Sequence, residues 1–264
     1  ARFHHFIYLN RFSYFSRRKT FQPPDEGVEG GILKRLPAGH ERMKGVKVYN
    51  EDYAAVLERH DGPDTVFFLD PPFTGYKQDV GEGEWDEVRF FKLIKKLKGK
   101  FVLTYGTRGD ASLLTGFNVT RARVTMGHPD GPRPGILLIA TNFDTKTKAE
   151  GEESDPIEKA IWGSPAGKKI LAPRLAGMIP PHKTYVEPFA GGAQVFFAKE
   201  PSEVEVLNDL DPDIAFAFKF VKGITPEQLT RLRRKSWTGD ADTFLKLRDA
   251  EPTDPVDRFH RFAY

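Results

Sequence analysis

The chain has 264 residues, of which 39% are hydrophobic and 12% aromatic, so it is long and apolar enough for one catalytic domain with a smaller appendage. It contains no cysteine, which excludes disulfides and thiolate-bound zinc; its seven histidines show no metal-binding spacing, so no metal is predicted. No apolar run approaches the roughly 18 residues of a membrane helix, and we expect a protein of the cytoplasm.

The charge is unevenly distributed along the sequence. The net charge is +3, yet residues 1–48 alone carry ten Lys or Arg against four Asp or Glu. This asymmetry is typical of a polyanion-binding segment beside a neutral body, although a solvated basic face would look the same.

The first part of the chain is predicted to alternate between helices and strands. A helix over residues 2–14 is followed by an irregular loop, rich in Gly and Pro, that runs to Gly45. A short strand at 46–49, a helix at 53–59 and a buried strand at 65–69 come next.

The same alternation continues up to residue 143. We predict a helix over residues 84–97, a strand over 101–105, and two strands, 118–126 and 136–142, joined by a turn rich in Gly and Pro. This pattern predicts a largely parallel sheet with an antiparallel end. Residues 144–159 are highly charged and free of aromatics, which is typical of a solvated linker.

A second block after the linker has the βαβ pattern. We predict strands over residues 184–186 and 203–208 and helices over 167–178 and 193–199. Two more helices, 226–234 and 242–248, would form a small helical subdomain. This subdomain carries a basic patch that comprises Arg231, Arg233, Arg234 and Lys235.

The two ends of the chain share a short repeat. Arg2-Phe3-His4-His5-Phe6-Ile7-Tyr8 and Arg258-Phe259-His260-Arg261-Phe262-Ala263-Tyr264 are identical at five of seven positions. The repeat is too short for a repeat architecture. Chance similarity of two aromatic amphipathic helices would produce it, and so would a duplication trimmed at both ends.

A carboxylate and two prolines follow the predicted buried strand. Asp70-Pro71-Pro72-Phe73 lies beyond the carboxyl end of that strand, where open α/β sheets bind ligands. An exocyclic amine is a poor nucleophile, and the Asp70 carboxylate with the rigidly held Pro71 carbonyl would polarise it by accepting its two hydrogens. Phe73 would stack on an extruded base. The structural alternative is a rigid loop after a strand.

A glycine turn lies 117 positions further along the chain, measured from Asp70 to Glu187. In Tyr185-Val186-Glu187-Pro188-Phe189-Ala190-Gly191-Gly192, the glycines allow a backbone to approach a nucleoside closely, although a tight strand-to-helix connection would have the same sequence. The next strand ends at Asn208-Asp209. There Asp209 would accept both ribose hydroxyls of a cofactor, or simply cap a helix.

Together these motifs resemble those of the Dam-type, S-adenosylmethionine-dependent DNA adenine N6-methyltransferases. The block from residue 162 to Asp209 resembles the cofactor-binding half of that family, and Asp70-Pro71-Pro72-Phe73 resembles its catalytic motif. Residues 6–14 are similar to the aromatic helix of its DNA-contacting region, and residues 136–143 to its last strand. Phe73 stands where the family more often has tyrosine, and this change preserves stacking.

The resemblance implies the roles of individual residues. The catalytic residues would be Asp70, Pro71, Pro72 and Phe73. The cofactor-binding residues would be Trp162, Gly167, Lys168, Glu187, Pro188, Phe189, Gly191, Asp209, Asp52 and Tyr53. The DNA-binding residues would be Asn10, Arg11, Tyr14, Arg17, Arg18, Lys19, Arg233, Arg234 and Lys235. The structural alternatives are that Trp162 is only a core residue and that Lys168 is only a solvated residue at the start of a helix.

The resemblance also implies the fold. It is a mixed α/β fold with a Rossmann-like methyltransferase sheet, mostly parallel with an antiparallel end strand, circularly permuted, plus a small helical target-recognition subdomain. The permutation follows from motif order, since family members run cofactor half, recognition region, catalytic half. We assign residues 1–45 and 223–264 to target recognition, 46–143 to the catalytic half, 144–159 to the linker and 160–222 to the S-adenosylmethionine-binding half.

The implied function is a site-specific DNA adenine N6-methyltransferase that transfers a methyl group from S-adenosylmethionine to a flipped adenine. RNA adenine N6 and DNA cytosine N4 remain open as targets, as does a catalytically silent nucleic-acid-binding relative. By resemblance, Asp70 rather than serine before the prolines favours adenine. We expect double-stranded DNA as the partner, no membrane, and a monomer, or a dimer that shares the terminal helix between copies.

Overall fold

The computed structural model describes residues 29–72, 85–126, 133–145, 159–162, 168, 170–237 and 241–263. Within these ranges the strands are β1 (Lys47–Tyr49), β2 (Thr65–Leu69), β3 (Lys100–Gly106), β4 (Asn118–Met126), β5 (Arg133–Thr141), β6 (Thr184–Glu187) and β7 (Val204–Asn208). The helices are α1 (Glu29–Met43), α2 (Tyr53–His60), α3 (Glu87–Ile94), α4 (Ala172–Met178), α5 (Gln194–Ala198), α6 (Pro212–Gly223), α7 (Pro226–Arg233), α8 (Ala241–Asp249) and α9 (Pro255–Ala263). None of these helices is long and apolar enough to cross a membrane.

One seven-stranded sheet has the strand order β1-β7-β6-β2-β3-β5-β4. The pairs from β1 to β3 are all parallel, whereas β5 runs antiparallel to both β3 and β4. The predicted mixed α/β fold, with a mostly parallel sheet and an antiparallel end, is therefore confirmed.

Helices cover both faces of this sheet, so its central strands are apolar throughout. All five residues of β2 are buried, as expected for a parallel strand with helices on both sides. Because side chains alternate along a strand, Phe68 packs in one core with α1, α6 and α9, while Phe67 and Leu69 pack in the other with α2 and α3. The carboxyl ends of the parallel strands remain as the edge on which a site can form.

The prediction of an irregular loop running to Gly45 is wrong for residues 29–43, which form α1. Pro37 lies inside this helix, at a cost of about 3 kcal/mol. Burial offsets this cost, since Ile32, Leu36 and Met43 are all buried and each contributes roughly 1.5–3 kcal/mol. Tertiary packing therefore determines this helix against its Gly/Pro-rich composition.

An ion pair anchors α1 to the sheet. Arg42 pairs with Glu205 of β7, and both side chains are 6% exposed. The Arg42 guanidinium also lies 3.7 Å from the centre of the Phe196 ring. This helix thus packs on the sheet that carries the predicted site. The domain boundary at residue 45, between the target-recognition part and the catalytic half, stays a prediction.

Most other elements agree with the sequence prediction to within a few residues. Strand β2 has the predicted bounds, and the predicted helix at 167–178 is shorter, since α4 begins at Ala172. Helix α6 was not predicted, although its start signals are present: Asp211 caps it and Pro212 occupies its first turn. The predicted helix at residues 2–14 lies outside the described residues.

Candidate active site

Strands β2 and β6 are neighbours in the sheet but far apart in the chain, and they run parallel, with Phe67 opposite Val186. On one side of this pair the sheet continues to β7, and on the other to β3. The direction of winding changes here, and such a switch point opens a crevice beyond the carboxyl ends of the strands. Both sequence motifs, Asp70-Pro71-Pro72 and the turn after Glu187, lie at this crevice.

Two side chains hold the Asp70 carboxylate. The hydroxyl of Thr104, a buried residue of β3, donates a hydrogen bond to Asp70 Oδ1. The Lys168 ammonium lies 2.8 Å from Asp70 Oδ2, with the two side chains 8% and 19% exposed. Asp70 and Lys168 were both predicted as site residues, and the fold brings them into contact; Thr104 was missed because a threonine inside a strand carries no sequence signal.

Glu187 is a buried carboxyl at the end of β6. Its Oε1 accepts hydrogen bonds from the Tyr185 hydroxyl at 2.7 Å and from the Phe196 backbone N–H at 2.8 Å. Its Oε2 accepts none from the described part of the chain. Desolvation raises the pKa of Glu187 to about 8, outweighing these hydrogen bonds, and the negative charge of Asp70 acts in the same direction.

The glycine turn and the end of β7 are joined by Asp209. Its Oδ2 accepts from the Gly191 backbone N–H at 2.8 Å and its Oδ1 from the Asp211 N–H at 2.9 Å. Burial raises the pKa of Asp209 to about 7 in spite of these two hydrogen bonds. Gly191 has a φ of +49°, a left-handed conformation that glycine adopts without strain.

An asparagine that was not assigned a role, Asn208 of β7, holds two other segments of the chain together. The Asn208 amide donates to the carbonyls of Pro188 at 2.9 Å and Glu51 at 3.0 Å, and its Oδ1 accepts from the Glu51 N–H at 3.0 Å. This side chain therefore fixes the glycine turn relative to the segment that leads into α2. A polar residue at the end of an otherwise buried strand was the available signal.

Three aromatic residues pack against one another beside the glycine turn. Tyr53 lies 5.2 Å from Phe189 between ring centres, and Trp85 lies 5.6 Å from Tyr53. Asp52 caps α2 through the Ala54 N–H at 2.9 Å and pairs with Arg89 at 3.0 Å. Tyr53 thus reaches the glycine turn, whereas Asp52 already has a structural role as a helix cap.

Trp162 is a core residue that also contacts the glycine turn. It is buried against Phe218, at 4.6 Å between ring centres, and Phe262, at 5.1 Å. Its indole N–H also points at the Gly191 carbonyl, at 3.4 Å. The ring is therefore a core residue that supports the glycine turn from behind.

The predicted basic patch lies at the end of α7. Arg233 and Arg234 are exposed, while Lys235 pairs with Asp257. The remaining predicted site residues lie outside the described residues, namely Phe73, Gly167, Asn10, Arg11, Tyr14, Arg17, Arg18 and Lys19.

Comparison with known proteins bears on the second half of the chain. Residues 165–264 match the family described as D12 class N6 adenine-specific DNA methyltransferase. This match covers 100 of the 264 residues. The match confirms the predicted activity, transfer of a methyl group to adenine N6 in DNA, and S-adenosylmethionine is the cofactor of the family.

The D12 segment contains Lys168, Glu187 and Asp209, whereas Asp70 lies outside it. Solved structures that resemble the chain include "crystal structure of M1.HpyAVI-SAM complex", with a TM-score of 0.46, 13% identity, and coverage of 68% of this chain and 100% of that one. Another is "crystal structure of M1.HpyAVI", with a TM-score of 0.45, 13% identity, and coverage of 68% and 99%.

Proposed function

We propose that Asp70 binds the target adenine while its N6 is methylated. Residues 165–264, the D12 segment, supply the cofactor site in this proposal. The contact between Lys168 and Asp70 carries this proposal, because it joins the D12 segment to a carboxylate 98 positions away in the chain. In this arrangement Asp70 and the carbonyl of buried Pro71 accept the two N6 hydrogens of the target base. Each carboxylate oxygen has more than one acceptor position, so the hydrogen bonds from Thr104 and Lys168 leave room for the base.

The residues at the switch point fit S-adenosylmethionine. Asp209 accepts one hydrogen bond on each oxygen and retains acceptor capacity for ribose hydroxyls. Glu187 has a buried oxygen without a hydrogen-bond partner among the described residues, which is unfavourable unless a polar group of the cofactor arrives. Phe189 and Tyr53 offer an apolar surface for a purine ring.

When bound, S-adenosylmethionine supplies an electrophilic methyl group on a sulfonium. The role of the protein residues is alignment and polarisation: Asp70 and the Pro71 carbonyl orient the N6 lone pair and stabilise the positive charge that develops on nitrogen. Lys168 and Thr104 hold the carboxylate in a single orientation. The N6 proton then leaves to water, so no strong general base is required.

The DNA substrate is proposed to be a duplex from which adenine is flipped, with Phe73 stacking on the extruded base. The exposed Arg233 and Arg234 are proposed to contact phosphates. The residues near the start of the chain that are proposed to bind DNA with them are the basic Arg11, Arg17, Arg18 and Lys19 and the uncharged Asn10 and Tyr14. A circularly permuted chain order is also part of the proposal. This order is supported by the position of β1 beside β7 in the sheet. If the two ends of the chain were joined, the next strand after β7 would be β1, which is its neighbour in the sheet.

The test is methylation of duplex DNA with labelled S-adenosylmethionine, followed by digestion to nucleosides and mass spectrometry. We expect N6-methyldeoxyadenosine, and a loss of roughly 10²-fold in turnover for Asp70→Asn, which removes one preorganised charge. The matched control is Asp64→Asn, an exposed carboxyl whose ion-pair partner within the described ranges is Lys183, at 3.6 Å.

Equal turnover in the Asp70→Asn and wild-type proteins would contradict the catalytic role. N4-methyldeoxycytidine, or N6-methyladenosine from RNA, would show that the substrate is different. Cofactor binding without any methylated product would identify a silent DNA-binding relative.

A further inference from the structure

Four residues of α9 make specific contacts with the groove in which this helix lies. Arg258 pairs with Asp213 at 2.7 Å, and Phe259 stacks on Phe220 with 4.7 Å between ring centres. His260 Nε2 lies 2.6 Å from the Ser236 carbonyl, and Phe262 packs on Trp162. Phe259, His260 and Phe262 are all buried, so these contacts define how α9 docks.

All four of these residues recur, in the same spacing, at the other end of the chain. Arg2, Phe3, His4 and Phe6 match Arg258, Phe259, His260 and Phe262, and only His5 and Ile7 differ from their counterparts, Arg261 and Ala263. A surface that recognises α9 through these four side chains therefore also recognises residues 2–8. We propose that residues 2–8 of the same chain dock in this groove in exchange for α9.

The same chain is the proposed source because it can reach the groove. Helix α1, which begins at residue 29, packs in the same core as α6, and α6 also lines the groove through Asp213 and Phe220. The 20 residues between Tyr8 and α1 span up to about 70 Å when extended, more than the width of a domain this size. A tether of this length gives an effective concentration that a second copy does not match at ordinary protein concentrations.

The exchange has a consequence for nucleic-acid binding. The groove is bounded by Ser236 and Trp237, which directly follow the basic patch at Arg233 and Arg234. When residues 2–8 are docked, the sequence continues into residues 9–19, which carry Arg11, Arg17, Arg18 and Lys19. Docking thus brings two basic segments together. This consequence depends on the proposed DNA contacts, whereas the docking itself does not.

The first test is a stability cycle on the full chain, using thermal unfolding. Because either segment can fill the groove, Phe259→Ala alone and Phe3→Ala alone should each lower the Tm by only a few degrees. The double variant Phe3→Ala/Phe259→Ala should lose more than the sum, about 6 °C or more, since a buried Phe is then missing from both occupants.

The control is Phe12→Ala in the Phe259→Ala background, since Phe12 lies outside the repeat and should have no effect. If Phe3→Ala is silent in both backgrounds, so that Phe259→Ala already equals the double variant, the docking proposal is wrong.

The second test is cross-linking, which the absence of cysteine makes specific. In α9, the Arg261 Nε donates to the Leu247 carbonyl at 3.2 Å, so Arg261→Cys/Leu247→Cys is the reference pair for a short bismaleimide. His5→Cys/Leu247→Cys is the test pair, in the Phe259→Ala background, because His5 matches Arg261. We expect a cross-link within one molecule, identified by peptide mass spectrometry.

Failure of the test pair, while the reference pair reacts, would overturn the proposal. A cross-linked dimer would overturn its same-chain form and show that a second copy supplies the segment. Neither readout involves methylation, so the outcome is independent of the proposed catalytic function.

Discussion

The pH dependence of stability should depend on Glu187. Burial raises the pKa of this carboxyl from 4.5 to about 8, so between these two pH values the folded state binds more protons than the unfolded state. Stability must therefore fall as pH rises through this window. A shift of this size corresponds to a loss of about 3 kcal/mol in the free energy of unfolding between pH 5 and pH 8.

Glu187→Gln should remove this loss. The amide carbonyl still accepts from Tyr185 and Phe196, and the neutral side chain has no charge to desolvate. We expect the variant to be nearly as stable as the wild type at pH 5 and about 3 kcal/mol more stable at pH 8. Urea unfolding followed by tryptophan fluorescence at several pH values measures this difference.

Glu205 provides the matched control. Desolvation raises its pKa, but the hydrogen bonds from Arg42 and Lys199 outweigh burial, and its pKa is lowered overall. Glu205→Gln leaves two buried cations without a full partner and should destabilise the protein by about 3–5 kcal/mol. This destabilisation should be present above the unfolded pKa and shrink in acid. If Glu187→Gln retains the wild-type slope between pH 5 and pH 8, the buried carboxyl is not its source.

Three further variants test the proposed site. Because the pKa of Asp209 is about 7, S-adenosylmethionine affinity should fall about tenfold from pH 8 to pH 6; calorimetry should show that Asp209→Asn abolishes this dependence. Thr104→Val removes a hydrogen bond to the Asp70 carboxylate and should lower kcat about tenfold, and unchanged kcat would exclude a positioning role. Arg233→Gln/Arg234→Gln should weaken DNA binding and reduce the salt slope by about 2, whereas an unchanged slope would exclude phosphate contacts.

Local sequence patterns predicted the strands whose carboxyl ends carry the candidate site. Strand β2 is a run of apolar, mostly β-branched and aromatic residues, and its bounds followed from that pattern. Asp70 and Asp209 were assigned because each directly follows the carboxyl end of a strand, the edge where parallel sheets bind ligands, and Glu187 was assigned from the family resemblance. These features depend on residues close together in the chain, so the sequence was sufficient for them.

Other features depend on partners that are distant in the chain. The composition of residues 29–43 indicates a loop, and only burial against α6 and the Arg42 ion pair with Glu205 explain why they form α1. Likewise, a polar residue at the end of a buried strand marked Asn208 in the sequence, but only the structure shows that it contacts Pro188 and Glu51.

The sequence by itself therefore determined the type of fold and the strand ends on which the motifs lie. The tertiary structure decided which of these residues meet, and in what state of charge. Lys168 contacts Asp70 because β6 pairs with β2, although the two strands are far apart in the chain. Glu187 has a raised pKa because the packed core excludes water from its carboxyl. The physical reason is that burial and long-range pairing follow from the order of strands in the sheet, which local patterns do not encode.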